Sequence, residues 1–406
     1  MALIRASAPL KKELGRLLPS RPFHVRFWDG STLNATVADA PTFLVRAPSA
    51  LAHFIRAPGT LGLGRAYVDG SLAVDDLDGA FVVVDTWEPP DIAGSDRVRL
   101  GLAILAAAAP GGIPRRPSLE LILRGDLHSV DRDAAAVRYH YEVGNDFFAL
   151  FLDESMTYSC AIFSRGAQTL EEAQLTKLEL VASKLDLKPG MRLLDVGCGW
   201  GSFAIHAART HGVKVTGVTI SPSQAELARE RVRHAGLEEQ VEILVADYRQ
   251  LPQGSFDVIA SIGMSEHVGR KQIDLYAESL FALLRPGGVL LNHAIAAMDP
   301  EDDALEDLFS TRYVFPDGET LALSRVQLAF ERAGFYTEHV EGFMEDYAIT
   351  LEHWAQRLEG RLDEAQRLAG LERTRVWRLY LRAAGRGFAT GLTAVYQVRA
   401  RRPLAG

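Results

Sequence analysis

The sequence predicts an α/β protein in two parts, a doubly wound, mostly parallel sheet preceded by a smaller N-terminal α+β domain. Three observations carry that prediction. From about Ser118 onward, short apolar runs alternate with stretches of helical periodicity, the rhythm of a parallel sheet with helices on both faces. The run Leu193-Leu194-Asp195-Val196 breaks into Gly197-Cys198-Gly199-Trp200-Gly201, then into helix-forming residues from Ser202, the strand–turn–helix unit that opens such a sheet. At 406 residues the chain is also long for a single core. The expected bounds are 1–112 and 118–406, with the linker in the Pro-, Gly- and Ala-rich stretch from Glu88 to Pro117, around one short helix.

In the first part, Leu3 to Leu18 spaces its apolar residues as a helix does, with Lys11, Lys12 and Arg16 on another face. Phe23, Val25 and Phe27 alternate with polar neighbours, and Asp29-Gly30 turns the chain before Leu33, Ala35 and Val37. Phe43-Leu44-Val45 reads as another strand and Ser49 to Arg56 as a helix, followed by the glycine-rich Gly59–Gly64 and the acidic Asp75-Asp76-Leu77-Asp78. In the second part, Leu170 to Leu185 is a strongly periodic helix. Val213–Ile220, Val241–Val245, Phe256–Ile262 and Val289–Ala294 read as strands, the last after a Pro286-Gly287-Gly288 turn. Ser221 as N-cap with Pro222 at the first helical position starts a helix that runs to about Ala235. The carboxyl ends of these strands carry Gly197, Thr219, Asp247, Gly263 and His293, where a doubly wound sheet binds its ligand.

Bulk properties narrow the function. The net charge is −8 and no basic stripe stands out, which argues against nucleic acid. Cys160 and Cys198 form neither a disulfide framework nor a paired metal-ligand spacing, as expected for a reducing cytosol. Lys11, Lys12 and Arg16 interrupt the early apolar residues, so no secretory signal is expected. The most apolar window, Leu100 to Ala109, stops at Pro110, far short of the ~20 residues that span a bilayer. Any lipid substrate must be approached from the water side.

The glycine loop is led by an acid, Asp195, and holds neither a basic residue nor a phosphate-binding lysine. That suits a cationic ligand better than a pyrophosphate, and S-adenosylmethionine, a sulfonium carrying an ammonium, meets the description. After the second strand, where an acid usually holds a ribose, stand Thr219, Ser221 and Gln224, and a glutamine amide can bond two hydroxyls. Taken alone, Gln224 reads equally well as a helix-surface residue. Asp247-Tyr248-Arg249 lies where an adenine would sit. Glu266-His267 after the fourth strand lacks matched metal-ligand spacing, so an acid–base or hydrogen-bonding role is preferred and no metal is expected. His293 on an apolar strand is ordinarily a core residue, but its place at the strand end favours function. The aromatics of His140–Phe148 and Met156–Cys160 are either a packed helical cap or a lid whose ring faces hold a cation.

The order His140-Tyr141-x-x-Gly144-Asn145-Asp146, Met156-Thr157-Tyr158-Ser159-Cys160-Ala161, Leu194-Asp195-Val196-Gly197-Cys198-Gly199-Trp200-Gly201, Gly217-Val218-Thr219-Ile220-Ser221 and Glu266-His267-Val268-Gly269 closely resembles the cyclopropane-fatty-acid synthases. The resemblance runs from Val137 to the C-terminus, and the N-terminal part is similar to the extra domain of the phospholipid-acting members. It implies a class I methyltransferase fold and methylene transfer from S-adenosylmethionine to the cis double bond of a phospholipid acyl chain. A carbocation would be deprotonated by a bound bicarbonate ion. The implied bicarbonate ligands are Cys160, Glu266, His293, Ile295 (through its backbone) and Tyr347, with cysteine not a nucleophile. The implied cofactor contacts are Tyr158, Ser159, Gly197, Gly199, Thr219, Gln224 and Ile262, beside Asp195 and Asp247. The expected setting is cytoplasmic, peripheral to the inner face of a phospholipid bilayer, with a homodimer the assembly to look for. Glu142 and Ile162 depart from the common family pattern, and a different quenching of the cation would give a methylene-branched acid instead of a ring. A noncatalytic lipid-binding protein on the same fold, disfavoured by the intact base site, and a small-molecule methyltransferase, which would leave the N-terminal domain without a role, are the remaining alternatives.

Overall fold

The computed structural model describes residues 7–112, 114–123, 126, 129–141, 143–299 and 308–404. It divides into two compact units. The first comprises Met1–Leu121 with Asp307–Tyr313 and Gly370–Ala383, and the second Ile122–Glu306, Val314–Ala369 and Ala384–Gly406. A boundary read along the chain does not anticipate these two later segments.

In the first unit a four-stranded sheet is ordered β2-β1-β3-β4. Its strands are β1 (His24–Arg26), β2 (Thr32–Leu33), β3 (Thr42–Val45) and β4 (Leu72–Val74). Around it lie α1 (Ala8–Leu17), α2 (Ser49–Arg56), α3 (Thr60–Asp69), α4 (Leu77–Thr86) and α5 (Gly94–Ala108). The strand expected to reach Val37 stops at Leu33, and the first residues of the helix expected from Leu3 lie outside the described residues. The glycine-rich stretch forms α3, for a packing reason. A Cβ on Gly62 would stand 2.1 Å from the Ala57 carbonyl oxygen, and one on Gly64 2.2 Å from the Phe309 ring. Asp76 caps α4, accepting from Gly79 N at 2.9 Å. The expected linker is largely helix: α5 has 15 residues and buries Ala103 and Ala107 in one core with Leu10, Val25, Phe27 and Val45. Its small apolar residues suit close packing against a neighbouring element, which a composition rich in Ala and Gly does not distinguish from a connection.

The second unit is built on a seven-stranded sheet ordered β10-β11-β9-β8-β5-β6-β7. The strands are β5 (Arg192–Val196), β6 (Lys214–Thr219), β7 (Val241–Val245), β8 (Phe256–Ile262), β9 (Leu284–Ala297), β10 (Tyr336–Gly342) and β11 (Thr393–Arg401). Strands β5 to β9 pair in parallel, and β11 lies antiparallel between β9 and β10. The order reverses between β5 and β8, so a crevice opens at their carboxyl ends. β9 begins at Leu284 and runs through the expected Pro286-Gly287-Gly288 turn, its register shifting near Phe256 and Val258 of β8. The helices are α6 (Val130–Tyr141), α7 (Asn145–Phe148), α8 (Leu170–Lys184), α9 (Ser202–His211), α10 (Pro222–His234), α11 (Ile273–Leu283), α13 (Leu323–Ala333), α14 (Met344–Glu359) and α15 (Leu362–Ala369). The short α12 (Leu308–Tyr313) belongs to the first unit, and α16 (Leu371–Ala389) contributes to both. α8 starts in a reciprocal capping box, Thr169 with Glu172, and α10 starts as expected, Ser221 Oγ accepting from Gln224 N. Apolar cores fill both faces of the sheet, Val181, Leu193, Phe203 and Val258 on one and Leu194, Ile259, Leu280 and Phe330 on the other.

Candidate active site

The glycine loop closes tightly at the end of β5. Gly197 N and Cys198 N both donate to the Val218 carbonyl of β6, at 2.9 and 3.0 Å. Gly197 and Gly201 hold φ of +74° and +80°, a left-handed backbone that glycine adopts without strain. Gly197, Gly199, Thr219, Gln224 and Asp247 line one crevice together with Tyr141, Met264 and His267. Asp247 also caps the turn after β7, bound by Arg249 N and by the Arg249 guanidinium.

Gln224 is not on the helix surface. It is 3% exposed, and its Oε1 accepts from Thr219 Oγ1 at 2.8 Å. Tyr141 bonds the same amide, and Gln224 Nε2 faces Gly199 across the loop. Asp195 lies beneath the loop, fully buried, with Oδ2 unpartnered among the described residues. Burial pushes its pKa up to about 7 against the opposing charge of Lys177.

The second group gathers around β9 and β11. Glu266, in the turn after β8, accepts from Ile295 N at 2.8 Å through Oε1, while Oε2 is buried without a partner among the described residues. Burial raises its pKa to about 7. His293 is buried and its pKa falls to about 3, chiefly from burial and then from Lys177 and Lys184, so the ring is neutral. Its Nε2 is likewise a buried polar atom without a partner among the described residues. Cys160 Sγ lies against the carbonyls of Ala161 and Phe343, and burial pushes its thiol far up, which keeps it protonated. Phe343 N donates to Val395 O, and Val395 pairs with Ile295 across the sheet. Tyr347 N donates to Phe343 O, and its ring packs 4.5 Å from Phe388. A short chain of contacts thus draws Cys160, Tyr347 and Ile295 together, with Glu266 on Ile295. The Ile295 N–H, however, is already taken by Glu266.

Tyr158 and Ser159, expected as cofactor contacts, are not among the residues that line the crevice. Tyr158 stacks on His140 at 5.6 Å and meets Phe148 and Trp354 at 5.3 and 5.2 Å. Phe147, Phe148 and Phe151 are fully buried, so this aromatic segment is packed core, with Tyr141 the ring that reaches the crevice. Ile262 ends β8 opposite His293 in register. Ile162 is buried and its N–H is held by Ala173 O, while Glu142 lies outside the described residues.

Four residues escaped the sequence reading. Gln174 donates to the carbonyls of Thr157 and Ser159, and the wholly buried Lys177 donates to Ser159 Oγ at 2.9 Å. Polar residues one turn apart on the apolar face of α8 were the signal that could have found them. Lys184 and Gln397, 213 residues apart, bond each other at 2.7 Å, a pairing that no local spacing indicates.

A doubly wound sheet with this glycine loop and crevice is that of a class I S-adenosylmethionine-dependent methyltransferase, and the chain is an enzyme that transfers a methyl group to carbon. The mycolic acid cyclopropane synthetase family model matches residues 128–398. A probable fatty acid methyltransferase of Mycobacterium tuberculosis is 37% identical over 93% of this chain and 91% of its own. The cyclopropane-fatty-acyl-phospholipid synthase of Escherichia coli is 35% identical over 84% of this chain and 82% of its own. The crystal structure of mycolic acid cyclopropane synthase CmaA1, complexed with SAH and CTAB, superposes with a TM-score of 0.63 at 33% identity, covering 66% of this chain and 98% of that one. The chain belongs to the cyclopropane synthase family of S-adenosylmethionine-dependent methyltransferases.

Proposed function

We propose that the protein transfers a methylene group from S-adenosylmethionine to the cis double bond of unsaturated acyl chains in phospholipids, producing a cyclopropane ring. The carrying observation is the pair of buried polar atoms without a partner among the described residues, Glu266 Oε2, on the residue before the crevice-lining His267, and His293 Nε2, on the strand end paired with Ile262. Buried polar atoms are rarely left unpaired, so two of them on family site residues call for a small polar guest. Bicarbonate bound there would supply the base that removes a proton as the ring closes. His293 donates from Nε2 and, being neutral, adds no charge beside a cationic intermediate. Glu266, with its pKa near neutrality, can donate or accept from Oε2. Cys160 contributes as a thiol and not as a nucleophile, because burial disfavours its anion.

The cofactor-binding roles of Gly197, Gly199, Thr219, Gln224 and Asp247 rest on their shared crevice. Asp195, Tyr158, Ser159 and Ile262 are assigned supporting positions around it. Release of the substrate into water is unnecessary if the enzyme sits on the cytoplasmic face of the bilayer. No helix among the described residues is long and apolar enough to cross a membrane. Attachment is assigned to the first unit, whose α5 exposes Val98, Leu102 and Leu105 at 63%, 62% and 53%, spaced along one helical face. The basic face of α1 is the weaker candidate, since Arg16 is bound to Glu13 and Asp96.

A methylene-branched product is the second reading, favoured by nearly equal identity to relatives named for fatty acid methylation and for cyclopropanation, 37% and 35%. Methyl-labelled S-adenosylmethionine with vesicles of unsaturated phospholipid, followed by NMR of the extracted acyl chains, decides between them. Ring-methylene protons support the first reading and vinylidene protons the second. Acyl chains without label would overturn both.

A further inference from the structure

Away from the crevice, Glu179 of α8 and His206 and His211 of α9 converge on one point. Nε2 of His206 and Nε2 of His211 lie 3.1 and 3.2 Å from the same carboxylate oxygen, Glu179 Oε2. The three ligand-type atoms all stand within 4.8 Å of one another. In a tetrahedral zinc site with bonds of about 2.0–2.1 Å, neighbouring ligand atoms are roughly 3.3 Å apart. The two carboxylate–imidazole separations need widen by only tenths of an ångström to admit an ion, and the two imidazole nitrogens lie within 4.8 Å of each other. The two imidazoles are 11% and 19% exposed and Glu179 is 51% exposed, so an ion can arrive from solvent and keep water as its fourth ligand.

We propose that Glu179, His206 and His211 form a binding site for one divalent transition-metal ion of the zinc class. Two imidazole nitrogens with a single carboxylate select zinc, cobalt or nickel over magnesium or calcium, which prefer oxygen ligands. Binding requires each neutral imidazole to carry its proton on Nδ1, leaving the Nε2 lone pair for the ion. The carboxylate offsets half of the ion's charge. The site pins α8 to α9. The inner face of α8 presents Gln174 and Lys177 to the Thr157–Ser159 segment, and α9 begins directly after the glycine loop. The ion therefore braces the rear of the cofactor crevice without entering it. The sequence offered no familiar ligand spacing, because the histidines are five residues apart and the carboxylate comes from another helix.

The test uses the full-length protein, stripped with chelator and dialysed. Titration calorimetry with Zn2+ should show one equivalent bound per chain, Co2+ should develop the visible absorption of a tetrahedral site, and Zn2+ should raise the melting temperature. His211→Asn and Glu179→Gln should each weaken Zn2+ binding at least about tenfold and remove the thermal shift, while melting in chelator stays close to wild type. Absence of stoichiometric binding to the wild type would overturn the proposal. So would undiminished binding to the doubly substituted His206→Asn/His211→Asn protein, which would place the ion elsewhere.

Discussion

The side-chain amide of Gln397 donates from Nε2 to Nδ1 of His293 at 3.1 Å, directly across the antiparallel pair β9 and β11. Lys184 Nζ donates to the other end of that amide, Gln397 Oε1, at 2.7 Å, and is itself held by Glu341 at 2.6 Å. An ammonium has only donors, so it leaves the amide no choice of orientation. Nδ1 of the neutral His293 must then accept, and its proton resides on Nε2, the atom without a partner among the described residues. Residues remote in sequence thereby set the tautomer of a candidate site residue.

Replacing Gln397 with Leu should release that tautomer. We expect kcat to fall on the order of tenfold while cofactor affinity changes less than about twofold, the signature of a group acting after binding. Gln397→Glu should be worse, since a carboxylate accepts from Nδ1–H and draws the proton away from Nε2. Nitrogen NMR of the labelled histidine reports the tautomer directly. An unchanged tautomer in both variants would remove Gln397 from the mechanism.

Glu266→Gln keeps the bond from Ile295 N but removes the titrating group. Activity should fall far more than cofactor affinity, and added bicarbonate should not restore it. The variant also changes the pH dependence of stability. The folded-state pKa of Glu266 is raised from 4.5 to about 7, so its contribution is fully present below about 4.5 and is lost as pH rises through 7. Urea denaturation at pH 5 and pH 8 should show the wild type losing stability over this interval by more than the variant does. Parallel curves would refute the burial of an ionisable Glu266.

Lys177→Met removes the cation that spans Ser159 and the buried Asp195. Burial lowers the Lys177 pKa from 10.5 to about 8, so the unfolded chain binds its proton more tightly and wild-type stability should rise with pH between those values. The variant should lack that rise. It should also bind S-adenosylmethionine at least several-fold more weakly, because Ser159 loses its donor. Wild-type affinity in calorimetry would confine Lys177 to a packing role.

Gln224→Ala should weaken cofactor binding on the order of tenfold. Unlike a surface substitution, it also empties a buried site and strands Thr219 Oγ1, so stability should fall by about 1–3 kcal/mol. Gln224→Glu preserves the volume and should separate the two effects. Equal cofactor affinity in all three proteins would exclude Gln224 from the ribose site.

Leu102→Asp/Leu105→Asp should abolish sedimentation with anionic phospholipid vesicles and turnover on them, with cofactor affinity unchanged. The exposure of both side chains makes the fold insensitive to the substitution. These point changes are preferable to truncation. The first unit includes Gly370–Ala383, where Arg375 bonds the Val68 carbonyl and Arg382 bonds Asp78, so deletion would strand those partners. Retained vesicle binding would move the membrane face away from α5.

Features decided within a few residues were legible in the sequence. The glycine loop, the Ser221–Pro222 helix start, β7 at Val241–Val245 and β8 at Phe256–Ile262 depend on local backbone preference, capping and apolar periodicity. Glu266 was also recognisable because its motif carries the family resemblance, and His293 because it stands at the carboxyl end of an apolar strand. Tertiary structure alone decided what those residues touch. Gln224 is buried because Tyr141 and Thr219 close over it, and α5 is core because its alanines meet Leu10 and Val25. The His293 proton is placed by Gln397 and Lys184, more than a hundred positions away along the chain. Hydrogen bonds and burial are properties of neighbours in space. A local pattern can name a side chain and its phase on a helix or strand, but only packing determines its partner, its dielectric surroundings and therefore its charge.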